Sequence, residues 1–250
     1  MERLKGKIAV VTGGGSGIGF ATAKRLLDEG ATRVYVAGRR QTELSNAVAS
    51  LGERAVGVQA DVTKPEDLDR LYALVKSQVD RLDVVFANAG IALPAPLGSL
   101  TDEHVDQVLG TNVKGVIWTV QKALPLMTAG GSIILTASIV ASKGFGDWSL
   151  YSASKAAVRS FARTWASDLK AKNIRINAVS PGVIETPAWT SSGLPKEQVH
   201  GFFGFASSIT PLGRTGRDEE VANVVSFLAS DESSFVNGSE VFVDGGLAQI

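Results

Sequence analysis

The sequence predicts an α/β protein with a doubly wound Rossmann fold, in a single domain with about seven parallel strands flanked by helices. Short apolar runs alternate with amphipathic stretches along the whole chain, which favours repeated strand–helix–strand units. Several runs lack strict polar alternation, as strands buried on both faces of a parallel sheet do. A glycine-rich turn follows the first apolar run directly.

Seven apolar runs are the predicted strands: residues 8–12, 33–37, 55–59, 83–87, 132–136, 174–179 and 240–243. Helical patterns lie between them, over residues 17–29, 63–79, 101–127 and about 150–172. In the second of these helices, Thr63 and Glu66 form a predicted capping box. The third starts at Thr101, with acidic residues at its positive end. Since we see neither an internal repeat nor a linker, we predict one domain over residues 1–250.

The composition limits the partners that we expect. The chain has 250 residues, and its 25 Lys and Arg residues balance its 25 Asp and Glu residues, so we expect neither nucleic acid nor an anionic membrane as a partner. It contains no cysteine, which excludes disulfides and thiolate ligands. No signal peptide is visible at the start, and no apolar run approaches the roughly 20 residues of a membrane helix. These features favour a cytoplasmic protein.

The glycine-rich turn, residues 12–19, reads Thr-Gly-Gly-Gly-Ser-Gly-Ile-Gly. Its glycines let a phosphate approach the backbone, and the helix that starts there offers free N–H groups to a pyrophosphate. A purely structural turn is the alternative. The spacing of Gly13, Gly17 and Gly19 differs from the Gly-x-Gly-x-x-Gly of the common dinucleotide fingerprint. It resembles the spacing found in short-chain dehydrogenases/reductases.

Four further residues match the Asn-Ser-Tyr-Lys tetrad of that family in order and spacing: Asn112, Ser138, Tyr151 and Lys155. Tyr151 and Lys155 lie four positions apart, and therefore on one face of a helix. Ser138 follows the predicted fifth strand, and Asn112 lies inside the preceding helix. With the glycine motif, the resemblance covers essentially the whole chain and indicates a ketoreductase or 3-oxoacyl reductase-like member.

The resemblance implies a role for each residue of this tetrad. Tyr151 gives a proton to a carbonyl oxygen, and Ser138 donates a hydrogen bond to that oxygen. Lys155 holds the nicotinamide ribose, and Asn112 holds a water that relays protons toward Lys155. A nearby ammonium and the positive ring of the oxidised cofactor both favour phenolate, so we expect the pKa of Tyr151 to lie below its usual value of about 10.

The end of the second strand predicts which nicotinamide cofactor is used. NAD-binding proteins of this type usually place an acidic residue there, which binds the ribose hydroxyls. This chain has Gly38 at that point, followed by Arg39 and Arg40. A guanidinium matches a phosphate, so we predict NADP(H) over NAD(H). Two alternatives stay open: the arginines start a solvated helix, or an extra residue near Thr32 shifts the register of the strand.

The resemblance implies further cofactor contacts in the loops that follow the strands. Asp61 and Val62 meet the adenine, whereas Asn88 mainly stabilises the sheet. In the Pro-Gly loop, Ile184 and Thr186 hold the carboxamide of the nicotinamide. The full predicted cofactor set is Gly13, Gly15, Ser16, Gly17, Ile18, Gly19, Arg39, Arg40, Asp61, Val62, Asn88, Ala89, Gly90, Tyr151, Lys155, Pro181, Gly182, Ile184 and Thr186.

The substrate lid of the family follows the Pro-Gly loop, so residues 187–208 are the predicted lid. Gly193, Pro195 and Gly204 indicate that this lid is broken and mobile. The predicted substrate contacts are Ser138, Val140, Trp148, Tyr151, Trp189 and Phe202. Their aromatic side chains favour a moderately apolar carbonyl compound, such as an aryl or alkyl ketone. Core packing or a subunit contact is the alternative for each aromatic residue.

We therefore predict an oxidoreductase that reduces a ketone to a secondary alcohol with NADPH. One alternative is a 3-oxoacyl thioester reductase, which needs a basic patch for an acidic carrier protein. Lys143, Lys170 and Lys172 are the candidates for that patch. The other alternative is a nucleotide-binding protein that has lost its catalysis, although all four tetrad positions are intact.

The sequence gives little reason to expect a metal. His104 and His200 are far apart and poorly accompanied, so we predict no metal site. Some tetrameric relatives bind magnesium near their C-terminus, which leaves a site near Gln249 open. Because two long helices carry subunit contacts in related enzymes, the resemblance also implies a homotetramer.

Overall fold

The computed structural model describes residues 2–190 and 195–250. Its strands are β1 (Ile8–Thr12), β2 (Arg33–Gly38), β3 (Ala55–Gln59), β4 (Leu82–Ala87), β5 (Met127–Thr136), β6 (Arg175–Pro181), β7 (Ile184–Glu185), β8 (Gly216–Arg217) and β9 (Glu240–Val243). Its α-helices are α1 (Gly17–Asp28), α2 (Gln41–Leu51), α3 (Pro65–Val79), α4 (Asp102–Leu109), α5 (Gly115–Ala123), α6 (Ser149–Asp168), α7 (Pro187–Thr190), α8 (Lys196–Ile209) and α9 (Asp218–Ala229).

Seven strands form one parallel sheet in the order β3-β2-β1-β4-β5-β6-β9, and β7 pairs with β8 separately. The chain builds outward from β1 to β3 and then returns to place β4 on the other side of β1. This reversal opens a crevice at the carboxyl ends of β1 and β4, where doubly wound sheets bind their ligands. The predicted fold class is confirmed.

Two apolar layers cover the two faces of the sheet. One layer includes Leu71 of α3 and Val158 of α6, and the other includes Leu26 of α1 and Val225 of α9. β1 and β4 are buried along their whole length, as their continuous apolar runs predict. No helix of the described residues is long and apolar enough to cross a membrane.

The predicted capping box at Thr63 and Glu66 is wrong. α3 begins at Pro65 with Lys64 as its N-cap, and no side chain caps it. Proline suits the first helical position because it lacks an N–H, and it holds the preceding residue extended. The Thr63 hydroxyl donates to the Asp61 carboxylate instead, at 2.8 Å.

The helix predicted over residues 101–127 is interrupted. Thr101 does cap α4, since its hydroxyl accepts the His104 N–H. A π-helix over Gly110–Lys114 then separates α4 from α5, and α5 ends at Ala123 because β5 begins already at Met127. The helix predicted over residues 150–172 ends at Asp168, and a 3-10 turn over Lys170–Lys172 follows it.

Candidate active site

A cavity of about 460 Å³ opens at the carboxyl ends of the central strands. Most of the predicted cofactor and catalytic residues line it. They are Gly13, Gly15, Ser16, Gly17, Ile18, Arg39, Arg40, Asp61, Val62, Asn88, Ala89, Gly90, Ser138, Tyr151, Lys155, Pro181, Gly182, Ile184, Thr186 and Trp189. Five predicted site residues do not line the cavity: Gly19, Asn112, Val140, Trp148 and Phe202.

The glycine turn fits a phosphate for steric reasons. Gly13 and Gly17 have left-handed backbones (φ 66° and 52°), which favour glycine. A Cβ on Gly19 would lie 2.2 Å from the Gly13 carbonyl oxygen, so only glycine lets α1 pack this closely on the turn. Ser16 is the N-cap of α1 but makes no side-chain cap. The first N–H groups of α1 are therefore left for an anionic ligand.

Thr12 and Asn88 tie this turn to the neighbouring strands. The Thr12 hydroxyl oxygen accepts the N–H groups of Asn88 and Ala89, at 3.0 and 3.1 Å. The Asn88 amide donates to the Thr12 carbonyl at 3.1 Å and accepts from the Thr136 hydroxyl at 3.3 Å. Asn88 thus joins the ends of β1, β4 and β5, in keeping with the structural role that the resemblance implies.

The end of β2 brings two guanidinium groups to the cavity. Gly38 is the last residue of β2, so it occupies the place where NAD-binding proteins of this type usually carry an acidic residue. Arg40 is the N-cap of α2 and forms an ion pair with Glu43. Arg39 lines the cavity and forms no ion pair with any residue of the described part of the chain. Arg39 is therefore the better placed of the two to bind an anionic group.

Asp61 lines the cavity and also stabilises a turn. Its carboxylate accepts the N–H and the hydroxyl of Thr63, at 2.9 and 2.8 Å, and its own N–H donates to the Asp67 carboxylate at 2.8 Å. These bonds fix the direction of the Asp61 side chain. The next residue, Val62, is buried and packs against Gly115.

Ser138, two positions after β5, meets Tyr151 of the first turn of α6. Burial raises the pKa of Tyr151 to about 12, although a hydrogen bond with Ser138 lowers it in part. Burial thus opposes the lowering of the phenol pKa that is expected from Lys155 and the oxidised cofactor, and that lowering stays a prediction. A phenol with this pKa is protonated at neutral pH and can donate its proton. The Ser138 hydroxyl also accepts the Val140 N–H, at 3.4 Å.

Lys155 lies one helical turn after Tyr151 and is only 3% exposed. Its ammonium donates to the Thr136 carbonyl at 2.8 Å and lies 5.6 Å from the centroid of the Tyr151 ring. Burial lowers the pKa of Lys155 to about 8. Since an ammonium has three donor hydrogens, the bond to Thr136 leaves donors for a ligand in the cavity.

Asn112 is fully buried within the π-helix. Its side chain accepts the Ile91 N–H and donates to the Ile91 carbonyl, both at 2.9 Å. It also donates to the Ser154 hydroxyl at 3.0 Å. These bonds fasten the loop after β4 to α6, beside Lys155. π-helices often lie at functional sites, and the relay role of Asn112 stays a prediction.

The Pro-Gly loop after β6 faces the glycine turn. A Cβ on Gly17 would lie 3.2 Å from the Thr186 Cβ, so the two loops lie in contact. Ile184 pairs with Gly216 in the β7–β8 sheet, and its carbonyl accepts the Trp189 indole N–H at 3.0 Å. These contacts hold Ile184 and Thr186 at the cavity wall.

The predicted aromatic substrate residues form two groups. Trp189 stacks on Phe202 with ring centroids 4.7 Å apart and meets Phe203 edge-on at 5.8 Å. Trp148 meets the Tyr151 ring edge-on at 5.5 Å. Only Trp189 of the first group lines the cavity, so Phe202 supports the wall rather than forming it.

The predicted lid contains α7 and α8. Residues 191–194, which include Gly193, lie outside the described residues. Pro195 is the N-cap of α8, whereas Gly204 lies inside that helix. Gly204 therefore does not break the lid as predicted.

Several residues of the cavity wall were not among the predicted site residues. They are Ala37, Glu43, Leu44, Ala60, Ile91, Ala92, Thr111, Thr136 and Ala137. Thr136 could have been found, because it ends β5 two positions before Ser138. No sequence pattern points to Glu43, because its position depends on how α2 packs beside Gly15. A Cβ on Gly15 would lie 3.6 Å from the Glu43 Cβ.

The three lysines of the predicted basic patch do not cluster. Lys143 follows the carboxyl end of β5, whereas Lys170 and Lys172 precede β6 at the opposite edge of the sheet. No docking patch for an acidic carrier protein arises from them. In residues 2–190 and 195–250, no group of three His, Cys, Asp or Glu side chains is placed to hold a metal ion.

Known proteins share this architecture over the whole chain. A family model described as Enoyl-(Acyl carrier protein) reductase matches residues 13–248. Oxidoreductase asL5 of Sarocladium schorii is 51% identical over 254 residues, which cover 100% of this chain and 99% of that protein. The 3-oxoacyl-[acyl-carrier-protein] reductase FabG of Thermotoga maritima is 41% identical over 251 residues, which cover 98% and 99%. The crystal structure of levodione reductase matches with a TM-score of 0.91 and 32% identity, over 98% of this chain and 99% of that chain.

The chain belongs to the short-chain dehydrogenase/reductase family, as the glycine spacing and the tetrad indicate. It is an oxidoreductase of small molecules, and membership of the family implies a nicotinamide dinucleotide as its cofactor.

Proposed function

We propose that this enzyme reduces a ketone to a secondary alcohol, reversibly, with NADPH as the hydride donor and Tyr151 as the general acid. The observation that carries the proposal is that Ser138, Tyr151 and Lys155 line the same cavity as the glycine turn. This supports the proposal, because a phenol, a hydroxyl and an ammonium group lie around the same space as the glycine turn.

The cofactor, when bound, supplies a hydride to the carbonyl carbon. Ser138 donates a hydrogen bond to the carbonyl oxygen as negative charge develops there. Tyr151, whose pKa of about 12 keeps it protonated at neutral pH, gives its proton to the same oxygen. Lys155 then stabilises the phenolate, because a nearby positive charge favours the ionised form. Oxidation of an alcohol uses the same groups in reverse.

The remaining cavity residues fit the two halves of a dinucleotide. The glycine turn and the start of α1 would hold the pyrophosphate, and Asp61 and Val62 would hold the adenine. Ile184 and Thr186 would hold the nicotinamide carboxamide, as in the family. All these groups lie at the carboxyl ends of parallel strands, where this fold binds its ligands.

Arg39 supports NADP(H) as the cofactor. It lines the cavity next to Gly38, which itself has no carboxylate to repel a 2′-phosphate, and the Glu43 carboxylate of the same wall is paired with Arg40. Initial rates with NADPH and NADH test this part of the proposal, and Arg39→Ala should reduce the preference for NADPH about thirtyfold, since a charged hydrogen bond is worth about 2 kcal/mol. A wild-type preference for NADH rejects NADP(H) and leaves the ketone reduction untouched.

The aromatic wall supports a moderately apolar substrate such as an aryl ketone. Trp189 presents a ring to the cavity, and its indole N–H bond to Ile184 fixes the orientation of that ring. Flat aromatic surfaces favour contact with other aromatic or apolar groups. An alkyl ketone of similar size is the alternative within this class.

Replacement of the phenol tests the mechanism. Tyr151→Phe should lower kcat about a thousandfold, because general acid catalysis contributes of that order, while NADPH still binds by fluorescence titration. Tyr35→Phe is the matched control, since it removes a phenol that donates to Gln78, away from the cavity. Unchanged turnover in Tyr151→Phe would reject the assignment.

A 3-oxoacyl thioester reductase is the second candidate, favoured by the 41% identity with FabG. A panel of ketones and acyl thioesters, followed by the absorbance of NADPH, separates the two. Faster turnover of the thioesters would replace the leading proposal. Absence of turnover with every carbonyl would favour a nucleotide-binding protein without catalysis.

We also propose a homotetramer in the cytoplasm. The family resemblance supports the tetramer, and α6 carries Phe161 and Trp165 stacked with centroids 4.5 Å apart, an apolar pair suited to a subunit contact. Sedimentation should give the mass of four chains, and a monomer would reject the assembly. The absence of cysteine agrees with a reducing compartment.

A further inference from the structure

We propose that Lys143 is a positioning residue for the substrate side of the active site, acting through residues 244–250. The proposal rests on the proposed function, since it concerns the turn that holds Ser138. Lys143 ends that turn. The Ala141 N–H donates to the Ser138 carbonyl and the Lys143 N–H donates to the Ile139 carbonyl, both at 2.9 Å.

The Lys143 side chain leaves this turn and binds the segment of residues 244–250. Its ammonium donates to the Leu247 carbonyl at 2.7 Å and to the Ile250 carbonyl at 3.0 Å. Lys143 is half-buried and Leu247 is buried, so water screens the first of these bonds only in part. Hydrogen bonds from a charged donor are shorter and stronger than neutral ones. The ammonium is therefore a fixed link between the Ser138 turn and the segment.

The segment is itself held in shape by Asp244. The Asp244 carboxylate accepts the N–H groups of Gly246 and Ala248, at 3.0 and 2.7 Å. Gly245 and Gly246 have left-handed backbones (φ 63° and 91°), which other residues rarely adopt. The carbonyl groups that accept from Lys143 thus belong to a turn with a defined backbone conformation.

Two other parts of the chain meet the same segment. On the cofactor side, a Cβ on Gly182 would lie 2.8 Å from the Asp244 Cα, and the Gly182 N–H donates to the Val243 carbonyl at 3.0 Å. On the lid side, the Leu212 N–H, just after α8, donates to the Gly245 carbonyl at 3.2 Å. The segment therefore contacts the Pro-Gly loop and the chain after α8, and Lys143 attaches the turn that carries Ser138.

This arrangement predicts a selective effect. Loss of the Lys143 ammonium releases the Ser138 turn, whereas Leu212 keeps its bond to the segment and Gly182 keeps its bond to β9. Ser138 meets the carbonyl oxygen of the substrate, so the loss should fall on the ketone rather than on the cofactor. A small displacement of a positioned group is enough to slow a reaction markedly.

Lys143→Met tests the proposal, because it keeps the length of the side chain and removes its donors. We expect kcat/KM for the ketone to fall roughly tenfold, with the KM for NADPH and the melting temperature little changed. Lys143→Arg, which can donate to both carbonyls, should recover most of the loss. Lys172→Met is the matched control and should leave the kinetics unchanged, since Lys172 donates to the Leu124 carbonyl far from the cavity.

Asp244→Asn is a second test of the same contact, because it loosens the turn that Lys143 binds. This variant should also lower kcat/KM for the ketone. It decides the matter if Lys143→Met does not fold. Equal losses for ketone and NADPH, no rescue by arginine, or unchanged kcat/KM in a folded Lys143→Met protein would overturn the proposal. Wild-type turnover of a ketone, and its loss in Tyr151→Phe, are measured alongside, so a failure of the proposed function is recognised separately.

Discussion

In the glycine turn, a Cβ on Gly19 would lie 2.2 Å from a carbonyl oxygen, whereas on α8 a Cβ on Gly204 would meet no atom within 4 Å. The same contrast extends to the neighbouring side chains. Asn88 of the cofactor side is tied to β1 and β5 by hydrogen bonds. Phe205 and Leu212, in α8 and just after it, are 60% and 67% exposed.

The contrast has a functional meaning. On the cofactor side, backbone groups in a fixed arrangement surround the ligand, so one ligand shape is favoured. On the lid side, side chains form the wall, so their identity sets which ketone fits. Substitutions on the first side should therefore cost stability and cofactor binding, whereas those on the second should change substrate preference at little cost in stability.

The largest effect is expected for Gly19→Ala. The new methyl group would overlap the Gly13 carbonyl, and α1 would have to move away from the turn. We expect a loss of more than about 3 kcal/mol in the free energy of unfolding, together with loss of NADPH binding. Urea denaturation and fluorescence titration measure the two effects.

Gly15→Ala is the control for stability within the same turn. A Cβ there would make only ordinary contacts with Glu43, at 3.6 Å or more. Its unfolding free energy should stay near that of the wild type. If Gly15→Ala and Gly19→Ala were equally stable, the close packing of the turn would not be what requires glycine.

A smaller effect on stability is expected for Lys155, whose positive charge is buried on the cofactor side of the cavity. Burial lowers the pKa of Lys155 to about 8, so Lys155→Met should raise the free energy of unfolding by about 3 kcal/mol at pH 7. Between the native pKa and the usual value near 10.5, the unfolded chain binds the proton and the native protein does not, so wild-type stability rises with pH. The advantage of Lys155→Met should therefore be complete below pH 8 and vanish as pH approaches 10.5.

Urea denaturation at several pH values between 7 and 10.5 measures this difference. Lys24→Met is the matched control, because Lys24 is exposed and pairs with Asp28 on the surface of α1. Its stability relative to the wild type should not follow the same pH dependence. A Lys155→Met advantage that stays constant over this range would contradict the buried ammonium as its cause.

The sequence predicted those features that depend on short stretches of chain. The apolar runs gave seven of the strands, and the spacing of Gly13, Gly17 and Gly19 gave the turn, because each is set by neighbouring residues. The period of one helix placed Tyr151 and Lys155 on the same face, and the family pattern identified them as site residues. The placement of Ser138 beside Tyr151 came from the family pattern.

Features that depend on distant contacts could not be predicted. The bond of Lys143 to Leu247 joins residues about a hundred positions apart in the chain, and no local pattern records it. The pKa of Tyr151 depends also on the burial of the whole site, which its spacing from Lys155 does not record. The π-helix around Asn112 likewise depends on its bonds to Ile91 and Ser154.

On the lid side, Trp189→Leu should raise the KM for an aryl ketone about fivefold, since an aromatic contact is worth about 1 kcal/mol beyond its buried area. The KM for NADPH should change less than threefold, on the order of 0.6 kcal/mol. Phe205→Leu is the matched control, because Phe205 is exposed on the same lid and does not line the cavity. Equal increases in the KM for the ketone and the KM for NADPH would mean that Trp189 contributes to the cofactor side of the cavity.

The smallest effect, and the sharpest contrast with Gly19, is expected for Gly204→Ala. Gly204 lies inside α8 with open space around it, so alanine adds helix propensity without a clash and should stabilise the protein by about 0.5–1 kcal/mol. Gly98→Ala is the control, because Gly98 also has open space but a left-handed backbone (φ 104°), and alanine there should destabilise by about 1 kcal/mol. Thermal unfolding of both variants measures the difference. Destabilisation by Gly204→Ala would mean that the lid helix, like the glycine turn, needs its glycine for packing, and the two sides would then be built alike.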